Sequence, residues 1–101
     1  MSDESRMCAT VEPYKIRSGK IEEATQLGKK LRSEFQKIPG RKHMIDVFNN
    51  DGYGYTISIW ESPEAKAAAA SRLDELGAQF GDMFEEFEAH DFQTVEYFVG
   101  K

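Results

Sequence analysis

The hydrophobic and polar residues alternate with two different periods along the chain, and the changes of period predict its elements. From Tyr53 to Trp60 the alternation is nearly strict, with Ile57 and Ile59 on one side and Ser58 on the other. Because successive side chains of a strand point to opposite faces, this segment predicts a β-strand.

Three further segments predict strands, namely Cys8 to Ile16, His43 to Asn49 and Asp91 to Val99. Pro13 interrupts the first of them and implies an edge, a bulge or a strand start, since proline cannot donate a ladder hydrogen bond. The turn signal Asn50-Asp51-Gly52 joins the second strand to the Tyr53 strand as an antiparallel hairpin.

A period of three to four residues predicts a helix after Ser18-Gly19. Its apolar face comprises Ile21, Ala24, Leu27, Leu31 and Phe35. Pro39-Gly40 ends this helix before the second strand.

A second helical stretch begins with Ser62 as its N-cap and Pro63 in the first turn, and it extends to about Glu88. Its buried face is predicted to comprise Ala65, Ala69, Leu73, Leu76, Phe80, Phe84 and Phe87. One straight helix of that length would measure roughly 39 Å, which is too long for so small a domain. We therefore expect a break at Ser71–Asp74, where the sequence resembles a capping box, with Gly77 and Gly81 as the alternative.

The element order β-α-β-β-α-β predicts an α+β fold of the ferredoxin-like type, with a four-stranded antiparallel sheet and both helices on one face. The length of 101 residues suits one domain, which we place at residues 8–101 after an N-terminal tail of residues 1–7.

Neither side of the second and last strands is plainly polar. The second strand carries Ile45 and Val47 on one side and Met44 and Phe48 on the other. Because helices cover only one face of the sheet, we expect a second copy of the chain to cover the other face, which makes the protein a homodimer.

Charge and composition exclude several classes of function. The net charge of -5 argues against nucleic acid as a partner, and no apolar run approaches the length of a membrane-spanning helix. A single cysteine, Cys8, excludes an internal disulfide, and the polar N-terminus does not resemble a signal peptide. We therefore expect a cytoplasmic protein, with Cys8 as a small buried hydrophobic residue.

Three short motifs resemble antibiotic biosynthesis monooxygenase-like (ABM) domains of the dimeric α+β barrel superfamily. They are the strand, turn and acidic helix start at residues 14–23, the helix stop Ile38-Pro39-Gly40, and the strand–helix junction Ile59-Trp60-Glu61-Ser62-Pro63-Glu64-Ala65. The resemblance covers roughly residues 8 to 99. It implies a hydrophobic pocket between sheet and helices in each subunit of a dimer.

Some members of this family oxidise aromatic polyketides without metal or flavin, whereas others degrade haem. Of the haem-degrading pattern only Trp60 is matched, because the first strand has no Asn and the second helix has no His. The resemblance therefore implies a cofactor-independent monooxygenase acting on a small hydrophobic or aromatic molecule.

The candidate catalytic residues are Trp60, carried over from the family, and His43, a possible general base. The candidate pocket residues are Tyr55, Phe80, Phe84 and Tyr97. We expect no cofactor and no metal site, since the two histidines are not spaced as metal ligands are.

Two other functions stay open: a pocket that binds a small molecule without turnover, and a dimerisation domain whose pocket is filled by its own side chains. Trp60 and the phenylalanines also fit the role of plain core residues.

Overall fold

An antiparallel sheet and two helices make up the part of the chain that this computed structural model describes, residues 6–85 and 90–96. The elements are β1 (Cys8–Ile16), α1 (Ile21–Gln36), β2 (Arg41–Phe48), β3 (Tyr53–Trp60), α2 (Pro63–Ala78), β4 (Phe84–Glu85) and β5 (His90–Phe92). The strand order is β2-β3-β1-β4, and β5 also pairs with β1. The predicted ferredoxin-like α+β fold is thus confirmed, with β4 and β5 sharing the fourth position of the sheet.

Local sequence signals set most of the boundaries. The hairpin between β2 and β3 turns at Gly52, whose φ of 89° is in the left-handed region that glycine adopts without strain. Asn49 Oδ1 accepts hydrogen bonds from the backbone N–H groups of Asp51 and Tyr53 and so fixes the turn. At the start of α2 the Ser62 hydroxyl oxygen accepts a hydrogen bond from the backbone N–H of Ala65, as the N-cap prediction requires.

The predicted extent of the second helix is wrong at its C-terminal end. No break occurs at Ser71–Asp74, and α2 ends at Ala78. The helix therefore ends between Gly77 and Gly81, the alternative place predicted for a break, and Gly81 has a φ of 58°. Phe84, expected on the helix, pairs with Ile16 as part of β4 instead. The backbone N–H of Arg17 also bonds to the carbonyl of Met83 at 2.8 Å, so pairing with β1 prevails over the helical spacing.

The last strand also differs from its prediction. The strand β5 covers His90–Phe92, and residues 93–96 are not in a strand. The remaining predicted positions, including Tyr97, lie outside the described residues, as does Phe87 of the predicted helix face.

The hydrophobic core lies where both helices cover one end of the sheet. Trp60 and Leu76 are its most buried large side chains, and Cys8, Leu31, Ile38 and Ala69 complete the cluster. Gly40 permits this close packing, because a Cβ atom there would lie 2.5 Å from the Cβ of Ala65 at the start of α2.

The two faces of the sheet are patterned in an unusual way. The face towards the helices carries polar side chains along its middle, including Thr10, Glu12, Thr56 and Ser58. The opposite face, which we call the outer face, carries apolar side chains. Those with large exposed areas on the outer face are Ile45, Val47, Tyr53, Tyr55 and Phe92. In a plain two-layer sandwich the polar side of each strand would face water, so this inverted pattern needs a functional explanation.

Candidate functional site

A cleft with a volume of about 1440 Å³ lies between the polar face of the sheet and the two helices. Its floor is made by β1, β2 and β3, and its other walls include Ala24 and Phe35 of α1 and Leu73 of α2. The volume exceeds the roughly 300–1,000 Å³ of common ligand pockets, so the cleft has room for a multi-ring molecule.

Glu12 lies on β1, between Thr10 and Tyr14 on the same side of the strand. Glu12 is exposed as a whole residue, yet the partial burial of its carboxyl raises the carboxyl's pKa, while the positive charges of Arg41 and Lys66 act in the opposite direction to a smaller extent. In the described part of the chain, this carboxylate has no hydrogen-bond or ion-pair partner. A carboxylate with a raised pKa and no fixed partner is suited to accept a proton from a bound molecule.

Tyr14 and Asp46 form a second polar group on the floor. The Tyr14 hydroxyl donates a hydrogen bond of 2.7 Å to Asp46 Oδ1, and the Thr56 hydroxyl donates to the same oxygen at 3.3 Å. Burial and the carboxylate of Asp46 raise the pKa of Tyr14, so this phenol stays protonated at physiological pH. Tyr14 is therefore a hydrogen-bond donor in the cleft and not a base.

Gly54 of β3 allows Tyr14 to reach Asp46. A Cβ atom on Gly54 would lie 2.5 Å from Tyr14 Cζ and 2.7 Å from its hydroxyl oxygen. The tyrosine ring therefore lies directly over Gly54 and crosses the sheet from β1 towards β2. The edge of the same ring meets Phe84, with centroids 5.2 Å apart at 90°.

Arg41 lines the cleft and contacts the side of α1 and the end of β3. Its Nη2 donates to the backbone oxygen of Phe35 at 2.8 Å, and its Cζ lies 5.9 Å from the Phe35 ring centroid and 5.6 Å from that of Trp60. Burial lowers the pKa of Arg41, and the charge of Glu12 acts against that lowering. Guanidinium groups keep their charge even so, and this one is oriented by two aromatic rings.

Lys66 and Asp91 form an ion pair that also lines the cleft and links α2 to β5. Lys66 Nζ lies 3.1 Å from Asp91 Oδ1, which also accepts a hydrogen bond from the Thr10 hydroxyl at 3.2 Å. The hydrogen bond from Lys66 is the main reason that the pKa of Asp91 is lowered. The positive charge of Lys66 is thus already matched within the protein.

The structure brings four of the sequence-predicted site residues to the cleft. Trp60, Phe80, Phe84 and His43 all line it. Trp60 is only 1% exposed and belongs to the hydrophobic core, so the core role also describes it. Its indole Nε1–H has no hydrogen-bond partner within residues 6–85 and 90–96.

Tyr55 does not belong to the cleft, which corrects its assignment as a pocket residue. It pairs with Val47 and Pro13 on the outer face and is 52% exposed, because the strand period places it opposite Trp60. Tyr97 lies outside the described residues.

Sequence reasoning missed Glu12, Arg41 and Asp46. One signal was available: Thr10, Glu12 and Tyr14 recur at a spacing of two in a strand whose other side carries Val11 and Pro13. In the fold, this side of the strand forms part of the cleft floor.

Neither a metal cluster nor a membrane-spanning helix is found in the part of the chain that the structure describes. No group of three or more His, Cys, Asp or Glu side chains in residues 6–85 and 90–96 is placed to hold a metal ion. No helix there is long and apolar enough to cross a bilayer.

Comparison by sequence gives no family assignment, since no protein-family profile and no curated protein matches the chain. Comparison by structure does find similar folds. A conserved protein from Methanosarcina mazei Go1 superposes with a TM-score of 0.78 at 13% identity, covering 92% of this chain and 97% of the other.

Two further solved structures carry functional descriptions. A proposed antibiotic biosynthesis monooxygenase from Caulobacter crescentus CB15 has a TM-score of 0.76 at 16% identity, covering 90% of this chain and 92% of the other. SnoaB from Streptomyces nogalater, a cofactor-independent oxygenase, has a TM-score of 0.74 at 13% identity, covering 95% and 99%. The chain therefore has the ferredoxin-like fold of antibiotic biosynthesis monooxygenase domain proteins, as its sequence motifs indicate.

Proposed function

We propose that this protein is a cofactor-independent oxygenase that acts on a small aromatic molecule bound in the cleft. The observation that carries the proposal is the Glu12 carboxylate, which lies on the cleft floor with a raised pKa and no partner among the described residues. The aromatic side chains Phe80 and Phe84 supply an apolar wall for a planar ring. The shared fold with SnoaB supports the same reaction class.

The proposed reaction starts with proton transfer to Glu12. The carboxylate takes a proton from a carbon or hydroxyl of an electron-rich ring, and the resulting anion passes electrons to O₂. A carbon–oxygen bond then forms, and the peroxide takes up the proton. Loss of water converts a ring CH₂ group to C=O, so one oxygen atom of O₂ enters the product and the other leaves as water.

The other residues orient the substrate. Tyr14 stays protonated and, with Asp46, marks one side of the floor, while the buried Trp60 ring closes one end of the cleft. We assign the base to Glu12 in place of His43. Glu12 extends from β1, which has paired strands on both sides, whereas His43 lies on β2 at the edge of the sheet.

Oxygen consumption tests this proposal. We expect the protein to consume O₂ with at least one member of a panel of hydroquinones and dithranol, a dihydroxyanthrone with an acidic ring CH₂. Glu12→Gln should lower the rate at least about a hundredfold, as loss of a general base does. The matched control is Glu22→Gln, which neutralises an exposed acid of α1 outside the cleft. No consumption with any panel member that binds would refute the oxygenase proposal.

A non-catalytic binding protein is the second candidate, and the size of the cleft favours it. A cleft of about 1440 Å³ lets solvent enter beside a small ligand, whereas oxygen chemistry on a carbanion benefits from the exclusion of water. Binding of aromatic molecules without O₂ consumption would establish this alternative.

We further propose that the outer face joins two copies of the chain into a homodimer. Ile45 and Val47 are each 49% exposed there, and Tyr55 and Phe92 extend the same apolar surface. Val47→Lys should give a monomer in sedimentation velocity at micromolar concentration, while Gln26→Lys on the exposed side of α1 should leave the dimer intact. A monomeric unmodified protein would refute the proposal.

A further inference from the structure

One segment of the chain carries a positive charge that the rest of the protein does not share. Residues 29–42 contain six of the 13 Lys and Arg residues but only one of the 18 Asp and Glu residues, Glu34. The segment therefore has a net charge of +5 within a protein whose net charge is -5. Such a concentration of positive charge on an acidic protein indicates a surface that attracts a negatively charged partner.

Five of these six bases are exposed on α1 and at the start of β2. Lys29 and Arg32 are three residues apart on α1, and Lys30 and Lys37 are seven residues apart, so each pair shares a side of the helix. Lys42 follows in the next element, β2. We call this surface the basic face, and its residues are Lys29, Lys30, Arg32, Lys37 and Lys42.

The bases outside the basic face already have partners within the protein. In the described part of the chain, four of them form ion pairs with acidic side chains: Arg6, Lys20, Lys66 and Arg72. Two others, Lys15 and Arg17, donate hydrogen bonds to backbone oxygens. By contrast, no side chain of the basic face forms an ion pair or hydrogen bond within residues 6–85 and 90–96. Its five charges are therefore available to a partner.

The basic face borders the entrance of the cleft. Lys29, Arg32 and Lys42 are exposed and also line the cleft, so they lie at its rim. Lys30 and Lys37 lie outside the cleft, on the adjoining side of α1. A protein bound across all five charges would cover this rim, and a free ligand could not pass beneath it. The bound protein must therefore supply or receive the ligand itself, on an arm that enters the cleft.

The size and surroundings of the basic face favour a compact protein partner over nucleic acid or a membrane. Its length along α1 is about 12 Å at 1.5 Å per residue, which matches two turns of an acidic helix. Outside residues 29–42 the chain has 17 acidic and seven basic residues, so a long run of phosphates would be repelled beyond the face. The other exposed residues of α1 between Lys29 and Lys37 are Ser33 and Gln36, which do not insert into a bilayer.

We propose that the basic face docks a small acidic protein that carries the ligand of the cleft on a flexible covalent arm. The acidic surface of this carrier binds the basic face, and the arm passes the rim formed by Lys29, Arg32 and Lys42. Because α1 lies on the opposite side of the sheet from the outer face, docking is compatible with a second copy of the chain there. The inference goes beyond the oxygenase proposal, since docking needs no turnover.

Binding of a loaded carrier tests the inference. The probes are acyl carrier proteins of fatty-acid and polyketide synthesis, which are small and acidic, each with a naphthoyl group on its pantetheine arm. Titration calorimetry at about 50 mM salt measures the Kd. We expect at least one loaded carrier to bind about tenfold or more tightly than naphthoyl-pantetheine, which has the arm and the ring without the protein. High salt should remove this difference, because the basic face is exposed.

Charge reversal then assigns the binding to the basic face. The double variant Lys30→Glu/Lys37→Glu should weaken carrier binding at least about tenfold, since two attractive charges become repulsive. Neither residue lines the cleft, so the arm keeps its binding site. The matched control is Arg6→Glu/Lys20→Glu, which changes the net charge equally outside the basic face and should leave the Kd within about twofold. If the charge-reversal variant does not fold, Lys30→Gln/Lys37→Gln serves in its place, with a smaller loss of affinity.

Each outcome decides the inference separately from the oxygenase proposal. Equal affinity for every loaded carrier and for naphthoyl-pantetheine would overturn the inference, as would carrier binding that survives Lys30→Glu/Lys37→Glu. Tighter binding of single-stranded DNA or of anionic lipid vesicles, lost in the same variant, would also overturn it, because the basic face would then bind phosphates. A protein that binds the loaded carrier and consumes no O₂ would retain this inference and refute the oxygenase proposal alone.

Discussion

Substitution of Gly54 by alanine tests the geometry of the cleft floor. A Cβ atom at this position would lie 2.5 Å from Tyr14 Cζ and 2.5 Å from the backbone oxygen of Val47. Both distances are far below ordinary van der Waals contact, and the Val47 oxygen is fixed by the sheet. We therefore expect the Tyr14 ring to leave its place over β3 and to lose its hydrogen bond to Asp46.

The magnitude follows from three losses and one opposing gain in stability. Overpacking next to the backbone costs about 1–3 kcal/mol. The lost Tyr14–Asp46 hydrogen bond costs about 1 kcal/mol, since it is solvent-accessible, and the lost edge contact with Phe84 costs about 0.5 kcal/mol. The lower entropy of the unfolded alanine variant returns about 0.5–1 kcal/mol. The net loss is about 1.5–4 kcal/mol, which corresponds to a fall in Tm of about 7–19 °C for a domain of this size.

Thermal and urea unfolding, monitored through Trp60 fluorescence, measure this loss. Gly28→Ala is the matched control, because it lies within α1 and a Cβ there meets no atom within 4 Å. We expect it to stabilise the protein by about 0.5–1 kcal/mol. Tyr14→Phe should cost only about 1 kcal/mol, since it removes the hydroxyl and keeps the ring. A Gly54→Ala protein with the Tm of the unmodified chain would contradict the placement of Tyr14.

Three further predictions concern single side chains. Glu12→Gln should stabilise the fold at neutral pH. The pKa of Glu12 is higher in the folded protein than in the unfolded chain, so the carboxyl destabilises the folded protein increasingly as the pH rises through these two pKa values. Urea unfolding at a pH below the ordinary pKa of glutamate should show no gain in unfolding free energy for the variant. A gain of the same size at every pH would contradict the raised pKa. Cys8 is buried and its pKa is raised by burial, so its thiol should react with a disulfide reagent only after unfolding; rapid labelling of native protein would contradict this. Ser62→Ala should cost about 1 kcal/mol in the same urea assay, whereas Ser71→Ala within α2 should have little effect; equal losses would contradict the N-cap.

Elements defined by short-range rules were predictable from the sequence. The strands β1 and β3 have the predicted bounds. The start of α2 at Ser62-Pro63 was predictable from the residue preferences of helix N-termini alone. The end of α2 was not predictable in this way. Phe80 and Phe84 continue the helical spacing, yet Phe84 gains more from pairing with Ile16 of β1, a partner far away in sequence.

The candidate site could be predicted only in part, because a two-residue period does not say which side of a strand faces the helices. Thr10, Glu12, Thr56 and Ser58 look like solvent-facing residues when each strand is considered alone. The register of β1 with β3 places them together on the helix side, and that register depends on the whole sheet. Arg41 was missed for a related reason, since its position between Phe35 and Trp60 follows from tertiary packing.

An isotope experiment tests the central claim, which is oxygen chemistry at Glu12, most directly. Dithranol is incubated with the protein under ¹⁸O₂, and the oxidised product is analysed by mass spectrometry. We predict that one ¹⁸O atom enters each product molecule, that the second appears in water, and that Glu12→Gln loses this product while Glu22→Gln keeps it. Product without ¹⁸O, or ¹⁸O incorporation that is unchanged in Glu12→Gln, would contradict the account.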